Sequence, residues 1–363
     1  MVKQTYPRLE INLEYLKENV SKISKKCKKY GIDVAGVIKG TTGIPQCAEM
    51  FAEGGCKIIA SSRLDQLEEA KAFGIDLPFL LLRIPMMSEL AEVVRCSDIS
   101  LESELVVLKA LNAEAAAQNK IHKVILMADL GDLREGFWDK DEMVDVAVAV
   151  EKDMDNLELA GVGTNLGCYG SIKATPQKLD ELVTIAEKIE VAIGRKLEYI
   201  SGGATTSLPR IFDGDMPERI NLLRIGEGIL LARDLDVFYG YDMSFLHQDV
   251  YTLKAEVLEV KAKPSYPVGE ITIDAFGRTP VYTDRGVRKR ALLGVGKVDY
   301  GTPEDIFPRD KGIEVIGASS DHTIIDIEDC GLYLHPGDVV SFDIDYASIV
   351  YLSNCRNVEI VFV

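Results

Sequence analysis

Eight apolar runs of strand length alternate with stretches of helical periodicity between residues 34 and 225, and this rhythm limits the fold more than any other feature of the chain. The runs cover residues 34–39, 57–60, 79–82, 98–101, 123–128, 157–163, 197–201 and 221–225. The helical stretches between them are amphipathic. Residues 102–119 carry Leu105, Leu108, Leu111 and Ala115, and residues 177–193 carry Leu179, Leu182, Val183, Ala186, Ile189 and Ile193 ahead of Gly194. A further helix precedes the first run at 12–31, with Leu13, Leu16, Val20, Ile23 and Cys27 spaced by three and four before Gly31. Eight strands with helices between them predict an α/β fold, an eight-stranded β/α (TIM-type) barrel, and residues 8 to about 240 match its ordinary size. A doubly wound open sheet is the alternative. Its dinucleotide-binding form is disfavoured because no Gly-x-Gly-x-x-Gly follows the first run.

Beyond about residue 245 the period changes. Alternating runs at 251–261, 271–274, 291–298, 313–318, 323–327, 339–344 and 358–363 are punctuated by Gly, Pro and Asp, and no long helical pattern remains. The sequence therefore predicts a barrel over 1–243 and a mostly-β domain over 244–363.

Charge narrows the partners. The net charge of −17 disfavours nucleic acid and anionic membranes, which want a basic face. No apolar run approaches the ~20 residues of a membrane span, and the first seven residues lack a secretory core. The seven cysteines form no Cys-x-x-Cys, and His122, His247, His322 and His335 form no metal motif. The expectation is a cytoplasmic protein with reduced thiols and no metal.

In a β/α barrel the chemistry sits at the C-terminal ends of the strands. The first run ends on Lys39, an unusual place for a charge. Desolvation there lowers the pKa of an amine and frees it as nucleophile or base. The fifth run leads into Asp129–Gly136, the sixth into Thr164-Asn165, the seventh into Gly202–Ser207, and the eighth ends at Arg224-Ile225-Gly226-Glu227-Gly228. The last two segments read as a phosphate cradle of hydroxyls and backbone N–H groups. A lysine and a phosphate cradle on one rim suggest pyridoxal phosphate, or a Schiff-base aldolase acting on sugar phosphates.

The chain resembles the alanine racemase superfamily of pyridoxal-phosphate enzymes, and within it the ornithine racemase branch. Val37-Ile38-Lys39-Gly40 is similar to the cofactor-lysine segment. Asp129-x-Gly131-x-x-Arg134-x-Gly136 and Arg224-x-Gly226 follow two further motifs, and Asp345-Tyr346-Ala347 is similar to a phosphate-contacting segment. Ser201-Gly202-Gly203, Gly163-Thr164-Asn165 and Gly317–His322 point to the ornithine branch. The resemblance implies that Lys39 holds the cofactor as a Schiff base and moves the Cα proton on one face. It implies that Arg134 contacts the cofactor's phenolic oxygen or the substrate carboxylate, that Asn165 lies near the ring and that Arg224 faces the pyridine nitrogen. Thr206, Tyr346 and the backbone of Gly226, Glu227 and Gly228 would hold the phosphate. It also implies a homodimer whose active site is shared between subunits.

Two departures stand out. The family's phosphate-binding tyrosine, four residues after the lysine, is Gly43. The second base aligns with Lys297, while Tyr300 matches it in chemistry; both stay open. A diamino acid needs an acid for its distal ammonium, and Asp299, Asp321 and Asp345 are the candidates. The expected activity is racemisation of ornithine or a similar basic amino acid. The alternatives are another racemase substrate (alanine, serine, lysine), a decarboxylase or lyase, or a non-catalytic pyridoxal-phosphate carrier.

Overall fold

The computed structural model describes residues 5–274 and 276–363, so residues 1–4 of the N-terminal segment read above lie outside the described residues. By contacts the chain divides into Glu14–His247 and a second unit made of Met1–Leu13 with Gln248–Val363. Strand β1 (Arg8–Ile11), which the sequence places with the barrel, belongs to the second unit.

In the larger unit β2 (Asp33–Val37), β3 (Ile58–Ser61), β4 (Phe79–Leu81), β5 (Ile99–Glu102), β6 (His122–Ala128), β7 (Leu157–Thr164), β8 (Tyr199–Ser201) and β9 (Leu222–Ile225) close into a barrel in chain order. All pairings are parallel, and β9 returns to β2 with Ala35 opposite Arg224. The eight predicted runs are these eight strands. They read as continuous apolar runs because both faces are covered, the inner by the barrel core and the outer by helices. Val37, Ala60, Leu80, Leu101, Ile125, Met127 and Leu222 fill the interior. The helix Leu13–Lys28 buries Leu16, Val20, Ile23 and Cys27 as its spacing predicts. The helix Pro176–Ile193 starts at Thr175, whose hydroxyl accepts the Lys178 N–H, and stops at Gly194 in the left-handed region. Among the described residues no helix is long and apolar enough to cross a membrane.

The second unit is a mostly antiparallel sheet. Its strands are β10 (Tyr251–Pro264), β11 (Val287–Leu293), β12 (Ile306–Pro308), β13 (Glu314–Ala318), β14 (Thr323–Asp326), β15 (Val339–Ile344) and β16 (Glu359–Phe362). They run in the order β12-β15-β10-β11-β14-β13, with β1 pairing β10 and β16. Two expected strands fail. Residues 271–274 are irregular, and the described residues between Ser265 and Gly286 form no helix or strand. The run at 291–298 breaks after Leu293, and Lys297–Tyr300 is a helical turn instead. There Gly296 and Asp299 cap the turn, and the cap outweighs the β preference of Val295 and Val298. An eight-residue helix, Tyr346–Ser353, was also not anticipated.

The outer face of the barrel wall holds one buried polar chain. Ser100 donates to Glu102 at 2.6 Å, and His122 Nε2 lies 3.0 Å from the same Ser100 hydroxyl. Burial pushes the Glu102 carboxyl up to about 8 and the His122 imidazole down to about 4, so both groups are neutral at pH 7. The unfolded chain releases the Glu102 proton near pH 4.5 while the folded chain keeps it to about 8. Stability must therefore fall as pH rises through that window. Glu102→Gln should flatten this decline, leaving the variant more stable than the parent at pH 8 relative to pH 5; urea unfolding at the two pH values measures it.

Candidate active site

Lys39 does not end the first strand. It lies on a tight turn, Ile38–Thr41, immediately beyond β2. The Thr41 hydroxyl donates to the Ile38 carbonyl at 3.0 Å, and Thr42 closes the turn in the left-handed region at φ 48°. A strained threonine three residues after a lysine at a barrel mouth is the kind of outlier that functional sites hold in place. Lys39 is open at the rim, yet protein crowds it closely enough for desolvation to lower its pKa. Arg134 and Arg224 push the same way, while Cys168 and Glu135 oppose them.

The sequence puzzle at Gly43 has a steric answer. Gly43 takes φ 78°, and a Cβ there would stand 2.5 Å from Gln66 Cβ. A tyrosine has no room on this backbone.

Arg224, near the end of β9, points toward the ends of β8 and β7. One Nη donates to the Thr164 carbonyl at 2.7 Å and the other to the Ser201 hydroxyl. The residue is 4% exposed, and burial draws its pKa down to about 10, so it stays cationic at neutral pH. Its neighbour Gly226 packs on β2: a Cβ there would sit 3.3 Å from Val37 Cβ. The turn carrying Lys39 and the backbone of Gly226–Gly228 are thus adjacent. A phosphate group and a lysine-linked aldehyde fit such a pair, with small residues where an anion must approach backbone. Two of the expected phosphate ligands already have partners. The Gly228 N–H donates to Thr205 Oγ1 at 3.0 Å, and the Thr206 hydroxyl donates to the Leu166 carbonyl at 2.7 Å. Glu227 is buried and accepts the Asp234 N–H, so its side chain is tied up in the loop.

The loop after β6 is built on carboxylates and one ammonium. Asp129 accepts the N–H groups of Gly131 and Leu133. Lys140 donates to the carbonyls of Asp129, Phe137 and Trp138 at 2.6, 2.8 and 2.8 Å and clamps the loop's base. Asp132 reaches across to the loop after β7 and accepts four backbone N–H groups, those of Gly167, Cys168, Tyr169 and Ile172. Burial works against its charged form, but the four donors prevail and hold its pKa below the ordinary aspartate value. Arg134 forms a two-point ion pair with Glu135. Asn165 donates to the Cys168 thiol at 2.9 Å. Glu135, Cys168 and Asp132 were not singled out from sequence. The only signal was that Glu135 and Asp132 fill variable places of the Asp129–Gly136 motif.

The remaining expected residues lie in the β unit. Lys297 extends over the Phe276 ring at 4.4 Å, with its Nζ 3.9 Å from Asp274. Together with Arg278 and Glu304 they line a cavity of about 840 Å³. Tyr300 is fully buried, and its hydroxyl meets Thr323 Oγ1 at 2.7 Å. Burial pushes its pKa up to about 12. Asp299 is also buried; it accepts the Gly296 N–H at 2.9 Å and the Cys355 thiol at 3.2 Å. Asp321 is exposed and accepts the Ser320 hydroxyl. Asp345 and Tyr346 open the helix Tyr346–Ser353, Tyr346 half-buried. Tyr300 and Asp299 are therefore core and capping groups, and Lys297 is the one of the two candidate bases at a cavity.

Asp132→Ala should release the loop at 167–172, leaving donors without acceptors at a cost of roughly 1–3 kcal/mol. Faster amide hydrogen exchange confined to that loop is the expected outcome, with the barrel strands unchanged.

Residues 11–234 match the family model described as the alanine racemase N-terminal domain. The ornithine racemase of Acetoanaerobium sticklandii is 38% identical over 345 residues, covering 95% of this chain and 96% of that protein. The lysine racemase of Thermotoga maritima is 40% identical over 357 residues, covering 98% of each. Among solved structures, the alanine racemase from Bartonella henselae with covalently bound pyridoxal phosphate superimposes with a TM-score of 0.76. It shares 14% identity and spans 99% of this chain and all of that one.

Proposed function

The chain belongs to the alanine racemase family, and from that membership we propose that it interconverts the L and D forms of ornithine or lysine. It is an amino-acid racemase, an isomerase that uses pyridoxal phosphate. The observation that carries the site assignment is the desolvated Lys39 amine on the rim beside Gly226 and Arg224. The finer choice of a basic amino acid rests on two full-length relatives near 40% identity whose names carry diamino acids.

Pyridoxal phosphate, when bound, withdraws electrons from Cα and lowers the barrier to losing its proton. Lys39 holds the cofactor and moves that proton on one face of the substrate. Arg134 would receive the cofactor's phenolic oxygen or the substrate carboxylate, and Asn165 would serve the ring. Thr206 and the backbone of Gly226, Glu227 and Gly228 would hold the phosphate, Thr206 and Gly228 trading their present partners for the anion, and Tyr346 is the second unit's candidate for the same group. Arg224 would serve the ring nitrogen. As a permanent cation it cannot take a proton from that nitrogen, so the electron sink is weaker than a carboxylate at the same place would make it. That suits proton exchange and disfavours decarboxylation.

Racemisation needs a proton-transferring group on each face. We assign the second to Lys297, because the Tyr300 hydroxyl is sealed in the core. Asp321 and Asp345 stay as candidate acids for the distal ammonium; Asp299, buried as a cap, is less suited.

We read the working form as a homodimer that shares its sites. Leu133, Trp138, Tyr169, Val237 and Phe238 all expose large apolar side chains on the segments that follow β6, β7 and β9. Exposed apolar groups around a functional rim are a usual mark of a protein interface. Buried thiols at Cys27, Cys47, Cys56 and Cys96 support a reducing compartment, the cytoplasm.

Incubation with L-ornithine or L-lysine in deuterated water should place deuterium at Cα and erase optical rotation. Carbon dioxide release would redirect the reading to decarboxylation, and no exchange with any amino acid would favour a carrier. Lys39→Ala should abolish exchange, and Lys297→Ala should slow it roughly 10²- to 10⁴-fold. Borohydride should fix the cofactor on Lys39; recovery of the label on another lysine would sink that assignment.

A further inference from the structure

We propose that Glu135 is a positioning residue, whose carboxylate fixes the Arg134 guanidinium and supplies the negative charge that the cations of this rim otherwise lack. The proposal rests on the reading of Lys39 and Arg134 as active-site groups.

Three cations, Lys39, Arg134 and Arg224, converge on one end of the barrel. Like charges at close quarters disfavour one another, most of all where water is thinned. The groups that act electrostatically on Lys39 are Cys168, Arg134, Glu135 and Arg224. Those that act on Arg224 are Glu135, Arg134 and Cys168. Glu135 is the carboxylate common to both sets. The other acids of its loop are committed elsewhere. Asp129 caps two N–H groups of its own turn, Asp132 spends its oxygens on four N–H groups of the neighbouring loop, and Asp139 caps the helix Lys140–Asp153.

The pair with Arg134 has the form of an anchor. Nε and one Nη each donate to a separate Glu135 oxygen, the two-point geometry that fixes a guanidinium plane. The Glu135 side chain is 16% exposed and that of Arg134 44%, so the acid is the sheltered member and the arginine the one presented to the mouth. An arginine on a loop has several rotatable bonds to freeze before it can hold a substrate or cofactor oxygen. A neighbour that holds it beforehand removes that cost from each binding event. The same carboxylate favours a proton on Lys39, against the two arginines.

Glu135→Gln keeps the shape of the side chain and removes its charge. In the full-length holoenzyme three readouts are expected. The ratio kcat/KM falls about tenfold or more for ornithine, lysine and alanine alike, to whatever extent each is turned over. The pH midpoint of the bound cofactor's visible absorption band moves down, because a cationic site without its acid loses a proton sooner. The melting temperature stays within about 3 °C, as befits a partly exposed pair. Glu135→Asp, which keeps the charge on a shorter arm, should restore the band's midpoint and part of kcat/KM; it also serves if the glutamine variant fails to fold. An unchanged midpoint with unchanged kcat/KM would overturn the proposal and leave an ordinary surface ion pair. A loss confined to ornithine and lysine would overturn it too, by making Glu135 a contact for the distal ammonium. If the parent enzyme exchanged no amino acid, the functional reading would fall, while the shift of the absorption band would still decide the role of Glu135.

Discussion

Closure of the barrel by the parallel pairing of β9 with β2 is the constraint from which the site follows. The register sets Ala35 against Arg224 and Gly36 against Ile225. Whatever leaves the top of β2 is therefore a neighbour of whatever leaves the top of β9. The first is the turn that carries Lys39, and the second is the bend at Gly226. Lys39 and the backbone of residues 226–228 come together without any loop having to reach. Gly226 makes the approach tight, since any larger side chain would press on Val37. An open sheet with the same eight strands would hold these two ends far apart.

The second layer of organisation is electrostatic. The loops after β6 and β7 bury Leu130, Phe137 and Leu166, and hydrogen bonds to charged groups fix the turns between these anchors. Asp132 gathers four amides of one loop from its place in the other, and Lys140 gathers three carbonyls. Charge-assisted bonds of this kind are stronger than neutral ones and tolerate a position near water. The arrangement delivers Arg134, Glu135, Asn165 and Cys168 to the mouth on a frame that a purely apolar loop could not supply.

The barrel was legible in the sequence because a parallel strand buried on both faces carries no polar alternation, and eight such runs separated by amphipathic helices admit few other arrangements. Lys39 was legible because a charge stands at the edge of an apolar run, whereas Arg134 and Arg224 were legible through the motifs Asp129-x-Gly131-x-x-Arg134-x-Gly136 and Arg224-x-Gly226. The β unit was harder. There β1 finds its partners β10 and β16 hundreds of residues away, which no local pattern reveals. The helical turn at Lys297–Tyr300 hid inside an apolar run because its cap outweighed the strand propensity of its valines. Tyr300 and Lys297 stand three residues apart and are indistinguishable by pattern, yet one is sealed in the core and the other lines a cavity. Glu135 was missed because a motif directs attention to its fixed places, while the residue that tunes a fixed arginine occupies a variable one.

Arg224 shows how burial and function bear on one another at this rim. A guanidinium that is 4% exposed has lost nearly all of its water, and its lowered pKa of about 10 records the strain of that loss. The Thr164 carbonyl and the Ser201 hydroxyl replace part of the lost hydration, and both come from the ends of neighbouring barrel strands. Neither carries a charge. A carboxylate in their place would neutralise Arg224 and lock it into an ion pair, and the arginine would have little left to offer a ring nitrogen. Neutral partners keep the cation oriented and still electrostatically unspent. The charge balance is then left to a carboxylate farther along the rim, one that acts on Arg224 through space without bonding to it. Glu135 occupies that position.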